Sequence, residues 1–440
     1  MKNLLVIFVI LLSSTVGFSQ QKLTAEDFIN NVLNNDFGIQ IVKNETLIAA
    51  NENNLGNAGF LPTLMIDANQ DLTINSARQE FLGNQTNEAD NAQNSAFQVG
   101  GLLEWTIFDG FSMFATRKKL NLLEETAQLN LRAEVEVKVY QAYLLFYSYL
   151  LHQELQAIFQ QSIDLSLARM EYIEKRIANG AASKTELIQS QLDLTADSSA
   201  FLNNLNELEL IQAEINEMMA QDANTALEIE GKLPSTTEDF NPESYKENAF
   251  SNNINLLIAK SNMAVLAQER KEITGSFYPS IGLYAGYNFN QAENEVGFLL
   301  RNRTYGPSFG ITVRWNIIDN LSRYQSLKNI KIHQDNAEII EKQEKQIIDR
   351  ELTQSFSNLK WAKRNMDFEL RNQVKRDEII SITEKALQAG SITPLELREI
   401  QFSAVEANER LLQSQFDYIS AKLNLYLTTG AFGNGDVDLF

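Results

Sequence analysis

Cysteine is absent from the chain, which excludes disulfides, thiolate chemistry, cysteine zinc sites and lipid attachment to an N-terminal cysteine. Histidine is nearly absent. His152 and His333 lie far apart in long polar stretches and read as ordinary surface or interface residues. Neither Met nor His clusters as a metal route would require. Basic residues are outnumbered 57 to 37, for a net charge of −20, so nucleic acid is not an expected partner, because phosphate backbones need basic surface. Proline is scarce, six in 440 residues. Beyond residue 20 no apolar run reaches the roughly 20 residues of a membrane helix. A membrane-inserted chain of this kind would have to be a β-barrel, the other structure that satisfies its backbone in lipid. Carboxylates are frequent but sit at solvated helical spacing with no convergent polar site, so no enzyme activity, cofactor or metal is expected.

The N-terminus carries Lys2, an apolar run from Leu4 to Leu12, then small and polar residues through Gly17-Phe18-Ser19. Charged start, short apolar stretch and small residues read as a signal peptide over residues 1–19, cut after Ser19.

The chain repeats itself. Trp105-Thr106-Ile107-Phe108-Asp109-Gly110 matches Trp315-Asn316-Ile317-Ile318-Asp319-Asn320, 210 residues on. Asn179-Gly180, Glu186-Leu187 and Gln191 match Ala389-Gly390, Glu396-Leu397 and Gln401 at the same offset. Phe60-Leu61-Pro62 matches Phe277-Tyr278-Pro279 at 217, so a loop of variable length lies between the Pro and the Trp. Repeat one is placed at 20–219 and repeat two at 254–429, with a connecting segment 220–253 and a tail 430–440.

Each copy reads alike. A helix (about 39–58 and 254–275) ends at the X-Pro step, where proline forces extended backbone. A strand follows (64–75 and 280–290), then a polar loop (about 76–94 and 291–306) and a second strand (96–108 and 308–318). These strands are about ten residues long and weakly alternating, the signal of a barrel strand. Four strands cannot close a barrel with a pore, so several chains must contribute in ring symmetry. Asp109 and Asp319 are expected helix N-caps. Helices then run without proline to Asn179 and Ala389, roughly 100 Å at 1.5 Å per residue. Gly180 and Gly390 are the expected left-handed turns at the hairpin tips. Ser183 and Thr393 cap the returning helices, with Pro394 at a first helical position. The returning helices carry a heptad: Leu187, Leu194, Phe201, Leu208 and Ile215 in copy one, and Leu397, Ala404, Leu411, Tyr418 and Leu425 in copy two. A seven-residue repeat means coiled-coil packing. Ile163, Met170 and Ile177 form the matching seam on the outgoing arm. Thr24 is the expected cap of a short helix to Asn34.

Taken together, the leader, the duplicated strand–loop–strand with long hairpin, the Pro and Trp corners and the glycine tips resemble the TolC-like outer membrane efflux family. The resemblance covers nearly the whole chain beyond the leader. It implies a mainly α fold with a β-barrel part. Four strands per chain would enter a shared twelve-stranded trimeric transmembrane barrel, above a long periplasmic α-helical coiled-coil barrel. It further implies a homotrimer in the outer membrane and a passive exit duct for efflux or type I secretion. The duct would be opened by a periplasmic adaptor and an inner-membrane pump of RND, ABC or MFS type. The competing reading is an exported coiled-coil structural or adhesive protein with no pore, against which the two strand pairs stand.

Within the resemblance, Trp105 and Trp315 read as aromatic-girdle residues at the membrane interface, or as packing at a strand end. Glu396 and Glu399, at i and i+3 on one helical face, read as stacked carboxylate rings at the periplasmic constriction, with Glu186 in the matching place of copy one. Relatives carry paired Asp there; here both are Glu. The same residues also suit a helix N-terminus, which favours acids through its dipole. Arg176, Lys184 and Arg398 are candidates for a tip latch. The run Tyr140, Tyr143, Phe146, Tyr147 and Tyr149 covers all faces of a helix and reads as interhelical packing.

Overall fold

The computed structural model describes residues 22–83, 85–297, 299–388 and 391–434. The leader and Gly390 lie outside them. The elements run α1 (Ala25–Asn35), α2 (Phe37–Glu52), β1 (Thr63–Phe81), β2 (Gln85–Phe108), α3 (Ser112–Ala178), α4 (Lys184–Met218), α5 (Pro242–Asn252), α6 (Ile254–Gly275), β3 (Ser280–Asn294), β4 (Arg301–Arg314), α7 (Ser322–Gln388) and α8 (Pro394–Thr429). The two copies match residue for residue in their outgoing helices, and the returning helices differ by one residue in length. Both α3 and α7 have 67 residues. Thr24, Ser183 and Thr393 cap their helices as their sequences require, and Pro394 opens α8. Gly180 has φ +70°, the left-handed value a helix end wants.

Several expected boundaries are corrected, among them that of the first helix, which ends at Glu52 rather than 58. The segment 76–94 is not a loop: β1 runs to Phe81 and β2 starts at Gln85, paired continuously except for a bulge near Asn75. Residues 291–306 likewise contribute to β3 and β4 on either side of a short turn. Polar composition reads as loop, yet a hairpin ladder satisfies the backbone whatever the side chains. The second strand of copy two stops at Arg314 rather than 318. Asp109 and Asp319 accept from the Met113 and Arg323 amides at 2.8 and 3.1 Å. They do so from three residues ahead of the helices, because two left-handed residues intervene in each corner.

The chain divides into two compact units. One comprises residues 1–44, 130–257 and 343–440, the other 45–129 and 258–342. The first unit is helical. Its core joins Phe28 and Val32 of α1, Phe146, Tyr147 and Leu150 of α3, Ile211 and Ile215 of α4, and Ile419 and Leu423 of α8. The connecting segment joins this core through Ile229 and Leu233. The aromatic run of α3 is thus packing: Phe146 and Tyr147 are fully buried, and Tyr140, Tyr143 and Tyr149 lie against them. Each such burial contributes about 1.5–3 kcal/mol. A second cluster gathers Leu256, Ile348, Leu352, Met366, Tyr418 and Leu425. The heptad residues Leu208, Ile215, Ala404, Leu411, Tyr418 and Leu425 are all buried.

The second unit holds the sheet, in order β1-β2-β3-β4 and antiparallel throughout. Its strand-to-helix corners are duplicated in detail. Gly110 and Phe111 have φ +73° and +69°, and Asn320 and Leu321 have +53° and +63°. A left-handed non-glycine residue costs roughly 1–2 kcal/mol, so both corners hold strain. Gly110 is required on a second count: a Cβ there would sit 2.1 Å from the Gly275 carbonyl oxygen.

Candidate functional site

The register gives the sheet two unlike faces. One row crosses Leu64, Leu103, Ala285 and Phe309; the next crosses Ala68, Val99, Phe289 and Tyr305. Leu72, Ile74, Trp105, Leu283, Ile311 and Val313 belong to the same face by alternation. The opposite face carries Asp67, Asn69, Asp71, Gln98, Glu104, Asn288, Asn290, Thr304, Ser308, Thr312 and Arg314, with Met65, Leu102 and Tyr284 as its apolar members. Tyr284 lies over Gly310, where a Cβ would be 2.6 Å from the phenol oxygen. On each strand the apolar face spans nine to eleven residues: 64–74, 97–105, 281–289 and 305–313. A tilted strand crosses a bilayer in about 9–11 residues. The apolar face is uncovered: Ile66 is 76% and Phe309 82% exposed. Both outer strands, β1 and β4, are long and have a free edge. No described helix is long and apolar enough to cross a membrane.

Trp105 and Trp315 do the same work in both copies. Each indole N–H donates to the carbonyl two residues ahead of the proline: Trp105 to Phe60 at 2.8 Å, Trp315 to Phe277 at 3.1 Å. The bond ties strand end to Pro corner, while the rings stay 44% and 59% exposed on the apolar side. Copy two adds Arg323, which pairs with Asp319 at 2.7 Å and lies 5.0 Å over the Phe277 ring.

The hairpin tips are built by capping boxes. Ser183 N–H donates to Glu186 at 3.0 Å, and the Glu186 amide donates back to the Ser183 hydroxyl. Thr393 N–H donates to Glu396 at 2.7 Å in the same way. These donors, backbone amide first, hold both carboxyls below the usual glutamate range. One oxygen of Glu186 and one of Glu396 are therefore committed to the helix end. Glu399 lies one turn on and is exposed. Arg176 stays within its own tip: it donates to the Ala181 carbonyl at 2.6 Å and sits 3.9 Å from Glu186. Lys184 is exposed at the first position of α4.

Arg398 behaves differently. It leaves its own hairpin and reaches α4, 3.2 Å from both oxygens of Asp197 and 3.8 Å from Asp193. Asp193 also binds Arg169 of α3 at 2.8 Å, and Ser166 donates to Asp197. Two arginines and two aspartates thus form a largely shielded layer joining α3, α4 and α8, with Asp197 buried and the other three half-buried. Arg169 Nε and Nη1 have no hydrogen-bond partner among the described residues. The sequence reading found Arg398 but missed Arg169, Asp193, Asp197 and Ser166. The available signal was the second seam of the heptad: Ser190, Asp197 and Asn204 recur three residues after each apolar seam position and are buried. One heptad further along that seam, Asn204 exchanges hydrogen bonds with His152, at 2.8 and 2.9 Å. No group of metal-ligand type occurs among the described residues.

No curated protein matches the chain in sequence. Solved structures do match its fold. A membrane protein from Pseudomonas aeruginosa is 17% identical with a TM-score of 0.76, over 92% of this chain and 90% of that one. The CmeC outer membrane channel of Campylobacter jejuni is 12% identical with a TM-score of 0.74, over 92% and 85%. The outer membrane protein VceC of Vibrio cholerae is 12% identical with a TM-score of 0.71, over 92% and 96%. Residues 247–431, which hold α6, the β3–β4 pair and the second hairpin, match the outer membrane efflux protein family, and the chain shares the fold of the CmeC outer membrane channel along 92% of its length.

Proposed function

We propose that three copies of this chain assemble into an outer-membrane exit duct, opened from the periplasm by an adaptor protein and driven by an inner-membrane pump. The observation that carries this reading is the four-stranded sheet with one apolar face of bilayer height and two free edges. Because strand directions alternate, β4 of one copy runs antiparallel to β1 of the next, so closure continues the ladder without a change of pattern. Twelve strands make a barrel wide enough for a pore, with Asp67, Asp71 and Glu104 on the inner face and lipid against the outer. The exposed rings of Trp105 and Trp315 then lie at the interface as girdle residues. In this reading the chain conducts and the pump supplies the energy.

The tips form the constriction in this reading. Glu399 is the principal ring carboxylate, since Glu186 and Glu396 each spend an oxygen on a capping box. Arg398 is the latch: it ties the second hairpin to the first through Asp197 and Asp193, while Arg176 ties only its own turn.

Purified full-length protein in detergent, examined by mass and in planar bilayers, tests the reading. The expected result is a trimer that inserts with discrete, cation-preferring conductance steps. A monomer of one chain mass that stays soluble without detergent and forms no pores would overturn it.

A further inference from the structure

Past the end of the sheet, the apolar face continues into a basic cavity that neither the barrel nor the tips explain. Phe108 closes β2, and the register shift after Thr106 sets it opposite Ile281, on the apolar face. From there an aromatic row climbs onto α3. Phe108 meets Phe111 at 5.2 Å between ring centroids, Phe111 meets Phe114 at 6.2 Å, and Phe114 meets Phe60 edge-on at 5.1 Å. Phe111 and Phe114 nevertheless remain 64% and 56% exposed. Beside them opens a cavity of about 600 Å³ whose lining includes Phe111, Phe114, Tyr278, Lys118, Arg270 and Lys271. The three cations are exposed, and no carboxylate among the described residues lines the cavity. The nearby Glu272 is committed to Lys119 at 2.6 Å. In a chain with 57 acidic and 37 basic residues, three cations without an acid run against the composition.

We propose that this cavity holds the headgroup of an anionic phospholipid, with the acyl chains lying along the Phe108–Phe111–Phe114 row. The proposal rests on the reading that the apolar sheet face contacts lipid, which puts the corner at headgroup depth on the helical side of the sheet. Three chemical features favour this occupant. A phosphodiester is the natural acceptor for clustered lysine and arginine donors. Basic clusters beside a membrane surface draw anionic lipid. Amphipathic and aromatic rings settle at that depth. A zwitterionic headgroup brings its own ammonium, which the three cations repel.

The test is native mass spectrometry of the detergent-solubilised full chain, offered phosphatidylglycerol and phosphatidylethanolamine, with inorganic phosphate as competitor. Three forms are compared: wild type, the cavity triple Lys118→Gln, Arg270→Gln and Lys271→Gln, and a charge-matched triple at exposed sites elsewhere, Lys246→Gln, Lys360→Gln and Arg371→Gln. Wild type is expected to retain phosphatidylglycerol over phosphatidylethanolamine. The cavity triple should lose that retention about a hundredfold, each basic residue near a surface contributing about a factor of five; the second triple should keep it, and phosphate should not displace it. Equal retention of the two lipids, equal loss in both triples, or displacement by phosphate, which would mark a plain anion site, overturns the proposal. If the cavity triple does not assemble, Lys118→Gln alone is read in the same way. Pore formation by the same wild-type sample separates the two readings: pores without lipid preference sink the lipid site alone, whereas no trimer and no pores sink the duct as well.

Discussion

At the scale of single residues, the tip carboxylates are three glutamates with two different jobs. Glu186 and Glu396 complete capping boxes, the helix N-terminus role that the sequence offered beside the carboxylate rings. Glu399 has no such assignment. Glu399→Gln is therefore expected to lower cation selectivity in planar bilayers with the helix intact. Glu396→Gln should instead loosen the first turn of α8, seen as faster amide exchange there. Unchanged selectivity in Glu399→Gln removes the ring. The pH dependence follows from the sign of the shift. The carboxyl of Glu396 titrates below its ordinary 4.5 in the folded chain, so its contribution is complete above that value and is lost as pH falls through the lower folded value. Protection of the α8 first turn should fall in that acid window and not between pH 6 and 8.

At the scale of elements, the hairpins were legible because a 210-residue offset and glycine, serine and threonine signals mark their ends. The polar layer inside them was not. Asp193 and Arg169 look like solvated charges in sequence, and only the packing of α3, α4 and α8 shows them half-buried beside Asp197, whose place the second seam marks. Breaking a buried pair from one side leaves a stranded charge, at a cost of about 3–5 kcal/mol. Arg398→Ala strands Asp197, whose side chain is 10% exposed. The expected outcome is a larger resting conductance and faster proteolysis at the tip turn near Gly180. Arg398→Lys should fall between, keeping the charge but losing the planar fork that spans Asp193 and Asp197. Wild-type conductance in Arg398→Ala would show that the layer is structural only. The sheet was half legible. Strand ends beyond the apolar band, such as 76–81 and 85–94, carry polar side chains on both faces. Their pairing rests on the backbone ladder, which leaves no mark in composition. Within the band, alternation looked weak along each strand and became plain only when the register aligned the four.

At the scale of the whole molecule, face identity on the sheet is the property that matters. Ile66→Arg puts a charge on the apolar face, where barrels lose about 2–4 kcal/mol near the bilayer centre. Asn69→Arg puts the same charge on the other face. The first should sharply reduce the heat-modifiable trimer recovered from membranes, and the second should leave it near wild type; equal effects would refute the assignment of faces. The pairing of β2 with β3 has a further consequence. Asn94 lies opposite Asn294, so two neighbouring strands are separated in sequence by an entire helical hairpin and the connecting segment. Contacts this distant are slow to form. When the chain emerges in order, β2 therefore waits with an open, aggregation-prone edge until Ser280 and its successors arrive. Delivery of such a chain depends on something that shields that edge in transit, and the half-made sheet is its most vulnerable state.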